Sequence, residues 1–425
     1  MKKTRVTFFT DNFPPESNAP ASRTYEHCIE WLKQGAEVTV ITCNPNFPKG
    51  QLYTGHKNGL YKKEMMDGIK VIRVWSYITP NRGTFKRILD YLSFAVSSFI
   101  VSLFHKTDII IATSPQLFAA LGGYCSAAVK RKPWIMEVRD LWPESIHALG
   151  AINNKRVLRN LEKLVAFLYR KANKIVVVTD SFKERISDGG IDPSKIAVVK
   201  NGVNHKKYFP IPPNQELIKK HGLEDKFVIG YIGTHGLAHN LDMILEAAFE
   251  VKDPIIHFLF VGDGAMKSRL LNKKKELNLT NVTMLDMVSS QEVSQYISLS
   301  NCALVPLKKT DTFKTVIPSK IFENAAMGKP IILGVEGESK TLVEGYGVGV
   351  FFEPENKADL INKIELLLKD RLLYQKCQKN CQQLAADFDR VELANKMYKH
   401  ILEVVHAKNS IKDKGFSVKH RTTST

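Results

Sequence analysis

A lysine and a glutamate one helical turn apart, in the run PSKIFENAAMGKP from Pro318 to Pro330, are the residues best placed for chemistry on a charged ligand. Pro318 and Ser319 mark a helix start, with Lys320 in the first turn and Glu323 on about the same face. Gly328 then closes the helix, and Lys329-Pro330 leads into a strand. A cation in a first turn opposes the helix dipole, and an anion such as a diphosphate would relieve it. A carboxylate beside it suits the vicinal hydroxyls of a ribose or hexose. The same pair also reads as a solvated ion pair worth about 0.3–0.5 kcal/mol, and composition leaves both readings open.

Two glycine-containing runs offer backbone groups. In GYIGTHG, Gly233 and Gly236 would let the main chain approach a phosphate, and His235 is either a donor to a diphosphate or a turn residue. VGDG, Val261 to Gly264, is a strand end and a tight turn, common in itself. In the first half, DNFPPESNAPASR, Asp11 to Arg23, leads from a strand into a helix expected to begin near Ser22. It is either an anion-binding helix start or a plain loop. The absence of GxGxxG leaves a nicotinamide reading unsupported. Arg139 and Asp140, in EVRDLWPES, end the fifth strand of that half. Asp140 fits a base or an acceptor-orienting carboxylate, or the pair is a structural one beside Trp142.

The elements that must hold these residues alternate short β-branched runs with longer helical patterns, as in parallel sheets with crossover helices. The first half predicts strands at Val6–Thr10, Val38–Thr42, Val71–Trp75, Ile109–Ala112, Trp134–Val138, Ile175–Val178 and Ile196–Val199. The second predicts Phe227–Tyr231, Ile256–Val261, Val282–Leu285, Cys302–Val305, Ile331–Leu333 and Gly349–Phe352. The fold class expected is α/β, two Rossmann-like doubly wound domains facing across a cleft, with ligands beyond the carboxyl ends of the strands. Residues 1–208 form the first domain and 214–388 the second, with a Pro-rich linker at Pro210, Pro212 and Pro213 between them. A helix is expected over 389–408, followed by a basic, disordered tail over 409–425.

The chain's 425 residues exceed one ordinary core. Its net charge of +18 calls for an anionic partner: nucleotide phosphates, acidic headgroups or nucleic acid. The lysines are dispersed and no nucleic-acid module is present, which argues against a nucleic-acid-binding protein. Six cysteines without a CxxC pair read as reduced, buried thiols. The strand at Val6 follows directly on a short basic stretch, and no signal peptide is expected. The run YLSFAVSSFIVSLF, residues 91–104, is too short for a confident span. It reads as a core helix or as a membrane-facing one flanked by Lys86 and Arg87.

Together these segments resemble glycosyltransferase family 4, retaining enzymes of the GT-B fold. Gly35 to Val40 (GAEVTV) is similar to that family's GHEVTV, and Asn201 to Asn204 (NGVN) to its NGVD. VGDG, ALVPL (303–307) and FENAAMGKPII follow in the family's order, and the similarity runs to about residue 404. FPPESNAPASR, NPNFP (Asn44–Pro48), RDLWPES and IPSKIFENAAMGKP resemble the capsule and O-antigen subgroup described as N-acetyl-L-fucosamine transferases. The resemblance implies a nucleotide-sugar donor, a UDP-sugar by preference, and no metal or other cofactor. It also implies an undecaprenyl-diphosphate-linked or saccharide acceptor, and a cytoplasmic enzyme peripheral to the inner membrane that binds no nucleic acid. Donor binding falls to Gly233, Thr234, His235, Asn240, Gly262, Asp263, Ser319, Lys320 and Glu323. The acceptor side falls to Pro15, Asn18, Ala19, Arg23 and Arg139, with Asp140, Lys320 and Glu323 catalytic. The resemblance further implies that the C-terminal helix crosses back onto the first domain.

The chain departs from the family at several points. Thr315 stands where the first of two glutamates is usual, and Ala19-Pro20 replaces a Gly-Gly. Thr234-His235 and Asn240 replace the cations that hold the diphosphate, with Lys320 expected to supply the missing charge. Arg139-Asp140 replaces a histidine. The rival reading is a nucleotide-sugar epimerase of the same fold.

Overall fold

Continuous apolar runs become strands wherever both faces of a sheet are covered, and nearly every such run here does so. A computed structural model of the chain describes residues 3–47, 50–79, 84–114, 116–148, 152 and 154–419. Pro48 of the NPNFP run and residues 420–425 of the tail lie outside them.

The first sheet holds β1 (Arg5–Phe9), β2 (Glu37–Cys43), β3 (Tyr61–Met66), β4 (Ile69–Val74), β5 (Ile109–Thr113), β6 (Trp134–Val138), β7 (Lys174–Val177) and β8 (Ile196–Val198). Their order is β3-β4-β2-β1-β5-β6-β7-β8, parallel except for β3, which runs antiparallel to β4. The sequence reading missed β3. Its YKKEMM is charged and lies at the sheet edge, so no apolar run marks it. The signal that was present is the two-residue turn Asp67-Gly68, with φ of 48° and 87°, the left-handed pair of a tight hairpin.

The second sheet holds β9 (Phe227–Ile232), β10 (Ile256–Val261), β11 (Val282–Leu285), β12 (Cys302–Pro306), β13 (Ile331–Gly334) and β14 (Gly349–Phe351). All are parallel, in the order β11-β10-β9-β12-β13-β14. The chain reverses its direction of travel across the sheet at β9. Loops leaving the carboxyl ends of β9 and its neighbours therefore diverge and leave room for a ligand.

Contacts divide the chain into residues 1–200 with 391–425, and residues 201–390. The division falls before the expected boundary at 208, because Val203 and Tyr208 are buried in the core of the second unit. Val203 also exchanges main-chain hydrogen bonds with Phe388 and Arg390. The C-terminal helix, Arg390–Lys419, belongs to the first unit and runs eleven residues past its expected end at 408, with no proline to stop it. Its Met397, Tyr398 and Ile401 are buried with Phe8, Trp31 and Val40, and Trp31 Nε1 donates to Ala394 O at 3.0 Å.

The helix Thr84–Ser102 resolves the reading of the apolar run. Phe94, Ala95, Ser98 and Ser102 are buried. Ser102 Oγ lies 2.7 Å from Ser126 Oγ, and a Cβ on Gly122 would lie 2.9 Å from Ala95 O, so small residues permit the close approach to the helix Leu117–Lys130. The other face exposes Leu89, Leu92, Val96, Ile100 and Leu103. Among the described residues no helix is long and apolar enough to cross a membrane.

The C-terminal helix should be integral to the first unit. Ile401→Ala is expected to cost about 2–5 kcal/mol in urea denaturation, as for a fully buried aliphatic side chain. The exposed Leu372→Ala should change stability by less than about 0.5 kcal/mol.

Candidate active site

In the second unit the loops after β9 and β10 are joined backbone to backbone. Gly233 N donates to Val261 O at 2.8 Å and His235 N to Asp263 O at 2.9 Å. Gly233, Gly262 and Gly264 adopt φ of 140°, 152° and 155°, which only glycine takes without strain. A Cβ on Gly262 would fall on the Gly233 carbonyl oxygen, and one on Gly264 on the backbone of His235. Lys267 Nζ fastens the arrangement from below, donating to Gly262 O at 3.0 Å and to Leu285 O. The sequence reading missed this lysine, whose only signal is its place three residues after the Asp-Gly turn.

Lys320 reaches this loop from the start of the helix Lys320–Ala326. A Cβ on Gly233 would meet Lys320 Nζ at 2.7 Å, so the glycine leaves the space that the ammonium occupies. Nζ donates to Tyr231 Oη at 3.1 Å and lies 4.4 Å from the centre of that ring. Tyr231 Oη donates in turn to Thr234 O at 2.6 Å. Burial pushes the Lys320 ammonium down to about 8, with Glu323 opposing. His235 is fully buried, and among the described residues neither ring nitrogen has a hydrogen-bond partner. Burial, then the charges of Lys267 and Lys320, push it down to about 4. Gly233, His235, Gly262 and Lys320 thus come together, although they are far apart in sequence. Glu323 and Asp263 are half-buried, and Asp263 Oδ1 accepts from Gly264 N at 2.7 Å. Asn240 sits at a left-handed φ of 47° without capping the helix it precedes, and Ser319 makes no capping bond either. Thr234 is exposed.

In the first unit, acids lie just beyond the carboxyl ends of β1 and β6, where Arg139 acts on Asp11 and Asp140. Ser114 Oγ accepts from Arg139 N at 2.9 Å and fixes the turn that carries Asp140. Burial raises Asp140 to about 6, with Arg139 opposing. Two acids missed from the sequence join it. Asp11 is raised by burial, with Asn12 and Arg139 opposing. Asp90, on the helix Thr84–Ser102, is raised to about 7 by burial and by Asp11, with Arg87 opposing. Among the described residues no group of three or more His, Cys, Asp or Glu side chains is placed to hold a metal ion.

Two acceptor-side expectations change. Arg23 does not face a substrate: it is 1% exposed, pairs with the equally buried Glu137 at 3.0 Å, and donates to Val199 O and Lys200 O. Its role is to join the first helix to the ends of β6 and β8, because a buried carboxylate needs a cation. That helix begins at Ala19, not near Ser22. Asn18 is its cap, accepting from Ala21 N at 2.9 Å, which occupies the side chain. Pro15 and Ala19 are exposed.

Two doubly wound sheets, the second with a glycine-built loop rim beside its switch point, are the fold of the GT-B class of glycosyltransferases. Residues 21–207 match the family description Glycosyltransferase Family 4, and residues 213–384 match Glycosyl transferases group 1. The chain belongs to glycosyltransferase family 4. It is 25% identical over 378 residues to a putative colanic acid biosynthesis glycosyl transferase, WcaI, of Escherichia coli K12, covering 86% of this chain and 92% of the relative. It is 29% identical over 258 residues to the N,N'-diacetylbacillosaminyl-diphospho-undecaprenol alpha-1,3-N-acetylgalactosaminyltransferase of Campylobacter jejuni, covering 59% and 65%. The solved structure of Anabaena Alr3699/HepE in complex with UDP and glucose superimposes with a TM-score of 0.71 at 16% identity, over 94% of this chain and 100% of that one.

If Arg23 is structural, Arg23→Ala should cost about 3–5 kcal/mol in urea denaturation by leaving Glu137 buried and unpaired. Arg23→Met with Glu137→Met should recover most of that loss. A single variant of unchanged stability with a weakened acceptor KM would return Arg23 to the acceptor side.

Proposed function

We propose that the chain transfers a HexNAc-type sugar, N-acetyl-L-fucosamine or a close relative, from a UDP-sugar to an undecaprenyl-diphosphate-linked or saccharide acceptor. The product would enter a capsule, O-antigen or exopolysaccharide. The observation that carries this reading is the second-unit cradle, in which a half-buried, desolvated ammonium, Lys320, stands over the glycine backbone of Gly233 and, among the described residues, no carboxylate is bonded to its Nζ. Such a group favours an anion, and a leaving diphosphate gains negative charge as the sugar–oxygen bond breaks. Preorganised charge at that point lowers the barrier more than it tightens the ground state. The relatives' names supply the lipid-diphosphate acceptor and the surface polysaccharide, and the HepE complex supplies uridine diphosphate.

In this mechanism Glu323 and Asp263 receive the hydroxyls of the donor, while Gly233, Gly262 and Lys320 hold its diphosphate. Thr234, His235, Asn240 and Ser319 complete the donor side. Asp140, with Arg139 and the loop through Pro15 and Ala19, orients the accepting hydroxyl. The reaction retains the anomeric configuration, with Lys320 in the place a metal ion takes elsewhere.

The enzyme works on the cytoplasmic face of the inner membrane as a peripheral protein. The exposed stripe Leu92, Val96 and Ile100, on a chain of net charge +18, is suited to anionic lipid.

Two measurements test the reading. In a thermal-shift panel of UDP, GDP, ADP and dTDP without added metal, UDP alone should stabilise the protein by mass action. Lys320→Ala should abolish the shift and lower turnover about 100-fold or more, with the unliganded melting point nearly unchanged. Silence across the panel would remove the nucleotide-sugar assignment. For the membrane, co-sedimentation with phosphatidylglycerol vesicles should fall about tenfold in the Val96→Asp, Ile100→Asp double variant. Equal binding by both proteins would place contact elsewhere.

A further inference from the structure

Two features of the first unit take no part in the proposed mechanism, and a third belongs to its donor site. A pocket of about 350 Å³ in the first unit is floored by Leu141, Trp142, Val165 and Ile186. A basic bowl at the amino ends of β1 and β2 is ringed by Lys63, Lys70 and Lys106. The third, the environment of Lys320 itself, is the one whose geometry specifies an outcome.

Among the described residues, the groups that β9 and the turn after it set around Lys320 Nζ are neutral. From β9 comes Tyr231, whose phenol oxygen accepts from Nζ and whose O–H donates to Thr234 O, so its hydroxyl is used in both directions. The Tyr231 ring stays protonated, since burial drives its titration well above the ordinary value. From the turn after β9 come His235 and His239, whose rings pack on Tyr231 at 5.9 and 5.8 Å. Burial, with Lys320 adding to it, pushes His239 down to about 3, as it pushes His235 to about 4. Both are neutral at any working pH. The one acid that acts on Lys320 is Glu323, on its own helix, and its effect is smaller than that of burial. Among the described residues, no hydrogen bond from Nζ to a carboxylate accompanies the bond to Tyr231.

We infer that Tyr231 is the positioning residue of Lys320, and that Lys320 takes up a proton from solvent when the donor's diphosphate binds. The inference rests on the reading of this cradle as the diphosphate site. The phenol fixes where Nζ points without supplying charge. The free site therefore holds an ammonium that is incompletely compensated, and a diphosphate oxygen provides the missing anion. An opposite charge at contact favours the charged form, so binding raises the affinity of Nζ for its proton. By linkage the nucleotide binds more weakly as pH rises through the free lysine's titration. Nζ of the free protein titrates at about 8. Between pH 7.5 and 9 the terminal phosphate of UDP is already ionised, and His235 and His239 are already neutral. Lys329 also titrates at about 8, but its Nζ donates to Ser298 O, apart from the cradle. A variant at 320 distinguishes the two.

The experiment is calorimetry of UDP binding from pH 7.5 to 9 in two buffers of different ionisation enthalpy. The wild-type protein should lose about eightfold in affinity over that range and take up about 0.9 proton per UDP at pH 9, as a free value of 8 and a much higher bound value require. Lys320→Arg, whose guanidinium does not titrate, should bind with a flat profile and no uptake. Tyr231→Phe, which keeps the ring, should bind UDP more weakly and move the midpoint of the profile. UDP binding that is flat with pH and independent of buffer overturns the proton coupling and leaves the diphosphate site standing. An unshifted profile and unchanged affinity in Tyr231→Phe removes Tyr231 from its role. No UDP binding at any pH overturns this inference and the donor site together.

Discussion

The carbonyl oxygen of Gly233 occupies the space where any side chain at position 262 would begin. That contact admits only glycine at position 262. It holds the loops after β9 and β10 at backbone distance, where the parallel sheet would otherwise let them diverge. Lys267 ties the same loop to the end of β11, so three consecutive strand ends of one sheet form a single rigid rim. Lys320 then enters over Gly233 from a helix more than fifty residues further along. A rim made of main chain exposes few side chains that could move. It costs little reorganisation when charge develops against it, which is the condition for electrostatic catalysis.

Charge is handled in opposite ways in the two units. In the first, Arg23 and Glu137 are both buried and directly paired, and two carbonyls complete the guanidinium's shell. Burial alone would raise the Glu137 carboxyl, but Arg23 and Arg139 more than offset it and hold it below its usual value. That pair is matched in charge and closed off from solvent. In the second, Lys320 is set against a phenol, and burial depresses its titration. Satisfied buried charge stabilises architecture, whereas undercompensated buried charge leaves binding energy for a ligand of the opposite sign. Desolvation also raises the half-buried acids Asp11, Asp90 and Asp140, each opposed by a neighbouring side chain.

The helix Thr84–Ser102 shows why composition alone could not assign its apolar run. Its small residues face the helix Leu117–Lys130, where a serine pair and Gly122 allow close packing. Its larger aliphatic residues, Val96 and Ile100 among them, face outward. A run of this kind satisfies both a core and a surface, because a helix has two faces and a hydropathy average has none.

Strand positions, the division into two doubly wound sheets and the family were legible in the sequence, because covered parallel strands need continuous apolar runs and the turn glycines between them are local requirements. Trp134–Val138, Ile256–Val261 and Val282–Leu285 were read to the residue. The edge strand β3 was not, since an edge strand owes its existence to its neighbour and not to its own hydrophobicity. Lys320 and Gly233 could each be singled out from local pattern, but their contact could not, nor could Tyr231 or Lys267 be joined to them, nor Asp11 to Arg139 and Asp140 in the first unit. Arg23 was misjudged for the same reason: its motif is local, while Glu137 lies 114 residues away. The sequence determined which segments could be strands, helices and tight turns, because those depend on neighbours within a few residues. Only the tertiary structure decided which charges are paired and which remain open to a ligand, because desolvation and partner distance are set by segments that meet only after the sheets have formed.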